Sequence, residues 1–152
     1  MQRTITGFHA DDVGEWVAEL SCLHNQHVRH QPPFREAAWV EDETTRRAKV
    51  GTALDCPLCD RAELPDGLRV VRTTQAWNDV TAPAGLRRGH RVAAGVWGLL
   101  RIEKGQLRFV AETDPQLDVV LGKGAMQPIP PEVEHRIETI GEVRFHVEFL
   151  TR

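Results

Sequence analysis

Apolar positions in the C-terminal half of this chain fall into short alternating or continuous runs. They are "LRVVRTT" (68–74), "AAGVWGLLRIEKGQLRFVAET" (93–113), "LDVVLGKG" (117–124) and "VRFHVEFL" (143–150). Runs of this length and period predict strands, and glycine and proline punctuate them. "EKGQ" (103–106) separates two apolar runs and predicts a hairpin turn. No stretch here has the pattern of a long amphipathic helix. Many short strands predict a β-sandwich or barrel.

The N-terminal part is weaker in apolar signal. "TITGFHAD" leads to a turn at 11–14, then to "EWVAELSC", where Trp16, Ala18 and Leu20 alternate. "LHNQ" (23–26) predicts a second turn, and "HVRH" (27–30) resumes in extended form until Pro32-Pro33. Trp39 and Val40 predict a further short strand. "CDRAELPDGL", with Pro65 and Gly67, reads as a boundary. The expected organisation is a small module over 1–62 followed by a domain over 66–152. The fold class expected is mainly β, a metal-stapled β-hairpin module and then a β-sandwich or barrel.

The 152 residues suffice for one medium or two small domains. A net charge of −3 gives no basic field for nucleic acid or anionic lipid. Residues 1–62 carry 7 basic and 10 acidic side chains, which further disfavours nucleic acid as a partner. No apolar run approaches the roughly 20 residues of a membrane span. The opening "MQRTITGFHADD" lacks the apolar core of a secretory signal, so a cytoplasmic location is expected and no membrane partner.

Three cysteines argue against a disulfide framework in a reducing compartment. Cys56 and Cys59 stand at C-x-x-C spacing, with no strand–helix context upstream for a thioredoxin-like redox pair. Metal is the better expectation. Cys22-x-His24 and Cys56-x-x-Cys59 are each short enough for one turn to present two ligands, and zinc takes four thiolate or imidazole ligands. The segment is poor in large apolar residues and needs such a staple. The expected structural zinc ligands are Cys22, His24, Cys56 and Cys59, with His27 the alternative to His24. A closed four-ligand site leaves no position for catalysis.

The stretch "GFHADDVGEWVAELSCLHNQHVRHQPP", followed by "GTALDCPLCD", resembles a small bacterial family of unknown function. That family carries a C-G-H turn, then Q-H-V-R-H-x-P-P, then C-x-x-C. Here Leu23 replaces the glycine of the turn. His27, Arg29 and His30 belong to the motif beyond what zinc needs.

His90, the run Gly95-Val96-Trp97-Gly98, Gly105 and "PIPPEVEHRIE" resemble the cupin-type domain of TehB N-terminal and YeaR-like proteins. The resemblance spans about residues 66–150 and implies a small cupin-like sandwich or barrel in a tellurite or nitrosative stress context. Gly124, Pro130 and His135 fit the second cupin motif, with Glu132 in place of its middle glycine. In the first motif Gly105 fits, but Val92 and Gly98 stand where a histidine and a glutamate would be. His90 and His135 remain as a candidate pair for a second divalent metal. Gln127, His146 and Glu148 are candidate helpers, although the alternation in "FHVEF" sets His146 and Glu148 opposite the aromatics. Trp97, Gln127 and Glu148 are the expected pocket residues. Arg88, Arg91 and Arg136 neighbour the histidines and suit an anion, yet their strand positions read as surface charge.

The leading functional expectation is a metal- or small-molecule-binding protein. The alternative is a metal-dependent cupin enzyme, of dioxygenase or isomerase type, that uses His90 and His135. An interaction module is a third reading, and edge strands make a homodimer partner conceivable.

Overall fold

A computed structural model describes residues 1–28 and 37–152. Arg29 and His30 lie outside the described residues. The chain divides into two compact units, Met1–Cys56 and Pro57–Arg152. Both are mainly β.

In the first unit, β1 (Gln2–Ala10) pairs antiparallel with β2 (Trp16–Leu20), and β2 pairs with β3 (Asn25–His27). A 3₁₀ turn (Ala38–Val40) and α1 (Glu43–Lys49) follow. β4 (Ala53–Asp55) then returns to the far edge of β1, giving the order β3-β2-β1-β4. Two local expectations are corrected here. The second turn is Ser21–His24 rather than 23–26, closed by Leu23 N donating to Leu20 O at 2.8 Å. Trp39 and Val40 do not form a strand; they lead into a helix. Asp42 caps that helix by accepting from Thr45 N at 2.8 Å, with Glu43 in its first turn and Arg46, Arg47 and Lys49 in its last. The helix buries no residue, so apolar periodicity could not reveal it. The core is thin, built from Ile5, Val17, Leu20, Val40 and the small Ala18.

The second unit opens with the one-turn α2 (Pro57–Asp60) and continues through β5 (Arg69–Thr73), β6 (Trp77–Asn78) and α3 (Ala84–Arg88). β7 (Trp97–Ala111), β8 (Leu117–Gly122), β9 (Met126–Ile129) and β10 (His135–Thr151) complete it. The sheet runs β5-β10-β7-β8, with β6 also on β10 and β9 also on β7.

The expected hairpin at 103–106 is absent. β7 continues through it as one strand of 15 residues, paired along its length with the 17 residues of β10. The ladder is instead bulged there: Ile140 faces Gln106, yet Arg144 faces Lys104, which leaves two extra residues on β10. Gly105 and Gly141 both take positive φ at this place, 74° and 63°. The local signal of a hairpin and of a bulge is the same, a glycine between two apolar runs. The bulge curls the sheet, so inward residues from both sides of the bend share one interior. Among them are Phe109 and Ile137 from one side and Leu100, Phe145 and Val147 from the other. The second unit is thus one curled antiparallel sheet closed around an interior.

Candidate functional site: a buried cysteine–histidine cluster and an apolar pocket

The turn between β2 and β3 carries Cys22 and His24, while Cys56 immediately precedes α2 and Cys59 lies within it. All four are buried, and their ligand atoms lie within 4.8 Å of one another. The Cys22 Sγ–Cys56 Sγ distance is 3.9 Å, and His24 Nδ1 lies 3.5 Å from Cys22 Sγ and 3.4 Å from Cys56 Sγ. Such a group can hold a metal ion. Burial alone would lower the His24 pKa, but hydrogen bonds and charge interactions with Cys22 and Cys56 outweigh it and raise the pKa to about 9.

Leu23, between Cys22 and His24, has φ 69°. The turn keeps the left-handed conformation that glycine favours although its residue is leucine. His27 does not join the cluster. The early turn returns the chain to β3, where His27 Nε2 lies 3.0 Å from Asp11 Oδ2 in a surface group with Glu15. His24, and not the alternative His27, is the histidine gathered with the three cysteines.

The second unit holds a cavity of about 240 Å³. Its walls include Val92, Leu100, Ile129, Ile137 and Val147, with the rings of Trp77, Phe109, Phe145 and Phe149. Pro83, Gly85 and Leu86, around α3, also line it. Polar side chains are few: Arg72, Thr74, His90 and His135.

His90 and His135 are brought together as a two-way backbone bridge, His90 N to His135 O at 2.8 Å and the reverse at 2.9 Å. Their rings meet edge to face with centroids 5.5 Å apart. His90 is exposed, whereas His135 is only 4% exposed. His135 Nδ1 lies 3.0 Å from Val133 O. A carbonyl only accepts, so Nδ1 carries the proton and Nε2 keeps its lone pair. Burial lowers the His135 pKa, against the Val133 bond, which raises it, and with a further lowering from His90. The ring is therefore a neutral acceptor. Among the described residues no third cysteine, histidine or carboxylate gathers with this pair as a ligand group. Two imidazoles alone make a poor metal site.

The expected pocket residues lie outside this cavity. Trp97 is fully buried, in register with Leu150, and does not line the cavity. Gln127 Nε2 donates to Pro128 O at 2.8 Å and is likewise outside it. Glu148 is on the opposite face of β10, where its Oε2 accepts from Arg101 Nε at 2.7 Å. His146 shares that face, with Nδ1 2.6 Å from Glu103 Oε1. Alternation had already set this pair apart from the aromatics, and the inward set Phe145, Val147 and Phe149 forms the wall. Arg91 pairs with Glu134 at 3.0 Å and Arg136 with Glu138 at 3.5 Å, while Arg88 is exposed on α3. Arg72, Trp77 and Leu86 were not foreseen; they come from the edge strands and the short helix, which carry little periodic signal. Glu132, where the motif has glycine, has φ 61°, so here too the backbone keeps the glycine conformation.

No helix among the described residues is long and apolar enough to cross a membrane. Residues 6–63 match a family described as a protein of unknown function (DUF3565), and residues 72–147 match the TehB-like domain. The uncharacterized protein YeaR of Escherichia coli (strain K12) is 27% identical over 96 residues, covering 57% of this chain and 81% of YeaR. A crystal structure of a protein from E. coli (strain K12) is similar at TM-score 0.53 and 26% identity, over 59% of this chain and 95% of that one. TehB from Haemophilus influenzae is similar in fold at TM-score 0.52 and 20% identity. That match covers 57% of this chain and 32% of TehB. Through residues 72–147, half of its length, the chain belongs to the family of TehB-like domains.

Proposed function

We propose that this protein is a cytoplasmic small-molecule-binding protein of bacterial stress physiology, of the tellurite or nitrosative type. A structural zinc staples its N-terminal module (1–62), and its TehB-like domain (66–152) carries the ligand pocket. The observation that carries the reading is the pocket itself: an apolar cavity of about 240 Å³ with one deeply buried, neutral histidine. A concave apolar site with a few convergent polar groups is the usual form of a small-molecule site. The stress context is supported by the family resemblance alone.

Zinc is supported by the cluster's dimensions. Zinc–sulfur bonds of about 2.3 Å and zinc–nitrogen bonds of about 2.0 Å at tetrahedral angles give ligand edges of roughly 3.5–3.8 Å. The sulfur–sulfur and sulfur–nitrogen separations of 3.9, 3.5 and 3.4 Å are close to those edges. Four protein ligands make the site structural, and zinc would supply folding energy there.

The test is a thermal-shift screen of the full chain against uncharged aromatic and branched aliphatic molecules of up to about ten heavy atoms. Leu86→Trp, which narrows the cavity from its α3 side, is the control. Compounds that raise the wild-type midpoint and not that of the variant support the reading. A screen in which no compound raises the midpoint overturns it.

A further inference from the structure

The pocket has a directional chemistry. Most of its wall can offer only apolar contact, so a ligand gains there by burying carbon. Four rings, Trp77, Phe109, Phe145 and Phe149, favour a flat partner. Thr74 Oγ1 accepts from Val147 N at 3.0 Å, so what it has left to offer a ligand is chiefly its O–H as a donor. The Arg72 guanidinium is exposed and lies 4.7 Å over the Phe149 ring, so water competes for it. His90 also lines the cavity but is exposed, so water competes for it too, and His135 differs from all three. Its ring is buried and belongs to the cavity wall, its Nδ1–H is committed to Val133 O, and its Nε2 can only accept.

A carboxylate brings no proton to an accepting nitrogen, and its charge would be desolvated against apolar walls. An ammonium carries the same desolvation cost. A neutral hydroxyl satisfies Nε2 and leaves the rest of the molecule to the apolar walls. We propose that the pocket takes a small aromatic hydroxyl compound, of the phenol class, its ring against the aromatic wall and its hydroxyl donating to His135 Nε2. This inference rests on the small-molecule reading above and adds the ligand's class to it.

The experiment is isothermal titration of the full chain with 4-methylphenol, its methyl ether 4-methylanisole, and 4-methylbenzoate. The phenol should bind about tenfold tighter than the ether, the worth of one hydrogen bond in a dry site. His135→Phe, checked for native circular dichroism, should remove that preference while both compounds still bind. The wild-type comparison needs no variant, so it stands even if His135→Phe does not fold. Equal binding of phenol and ether overturns the hydroxyl assignment and leaves the small-molecule reading intact. Preference for the benzoate also overturns it, and places the recognition at Arg72. Failure of all three to bind at millimolar concentration overturns the phenol assignment, and the wider screen then decides the small-molecule reading separately.

Discussion

Gly105 and the carbonyl oxygen of Glu142 lie so close that a Cβ on Gly105 would come within 2.0 Å of that oxygen. The obstacle is backbone, and it stands where the long β7–β10 ladder bends. Gly105 also has φ 74°. Gly105→Ala therefore combines a steric clash with left-handed strain, and should cost about 3 kcal/mol or more of stability. Gly122→Ala is the control, since nothing lies within 4 Å of its Cβ position. Urea unfolding should show a large loss for the first and a change within about 0.5 kcal/mol for the second. Equal midpoints would mean that the bend does not depend on glycine.

Leu23 and Glu132 give the opposite expectation. Each occupies a left-handed position, φ 69° and 61°, where its motif has glycine. Leu23→Gly and Glu132→Gly should each relieve strain of about 1 kcal/mol, partly offset by the greater freedom of an unfolded glycine. A higher denaturant midpoint is expected for both. A lower one would show that side-chain contacts of Leu23 or Glu132 outweigh the strain.

Metal content separates the cluster from its neighbours. Protein purified without added metal should contain one zinc per chain. Cys22→Ser and Cys56→Ser should lose it, because serine does not replace a thiolate ligand. His27→Ala should keep it, since His27 bonds to Asp11 instead. His135→Ala should also keep it. Well-folded wild-type protein with no metal would sink the zinc staple.

The metal-free cluster should respond to pH in a definite direction. His24 has its folded pKa raised from 6.5 to about 9. A raised pKa means that the folded state holds the proton more tightly. Its contribution to stability is full below pH 6.5 and is lost as pH rises through about 9. Chelator-treated protein should therefore unfold more easily at pH 9.5 than at pH 6. Zinc-loaded protein should show the reverse trend at the acid end, where protons compete for the ligands. Identical profiles with and without chelator would contradict this.

His135 predicts a loss of stability in acid. Burial lowers its pKa below 6.5, so the folded state resists the proton. The corresponding stability is full above pH 6.5 and declines as pH falls toward the folded value. His135→Phe should flatten the decline between pH 6.5 and 5 in the urea midpoint. An unchanged slope would place the acid sensitivity elsewhere.

The gathering of the cluster was legible because its members lie close in sequence: Cys22 with His24, and Cys56 with Cys59. The choice between His24 and His27 was not legible. It depends on whether the chain turns at 21–24 or at 23–26, and several polar residues in a row mark either place equally. Pocket residues were obscured for another reason. Inward positions on a strand read as core whether they meet other side chains or enclose a cavity, so Phe145 and Phe109 carried no sign of their wall position. The continuity of β7 was hidden because Gly105 looks locally like a hairpin turn. Only the partner, β10, running 17 residues without interruption, shows that the strand goes on. α1 escaped notice because a helix that buries nothing leaves no apolar stripe.

The bend in β7 and β10 also ties the cavity walls to one another. Opposite walls of the pocket are stretches of the same two strands, stitched by one ladder that passes around the bulge. They cannot swing apart like two separate sheets, because parting them means tearing that ladder. The stretch from Pro83 to His90 is different. It is mostly exposed, holds a single short helix, and borders the cavity through Pro83, Gly85, Leu86 and His90. The sheet is the fixed part of the wall, and the stretch before His90 borders the cavity outside that ladder, while His90 itself is tied back to β10 through its backbone bridge with His135.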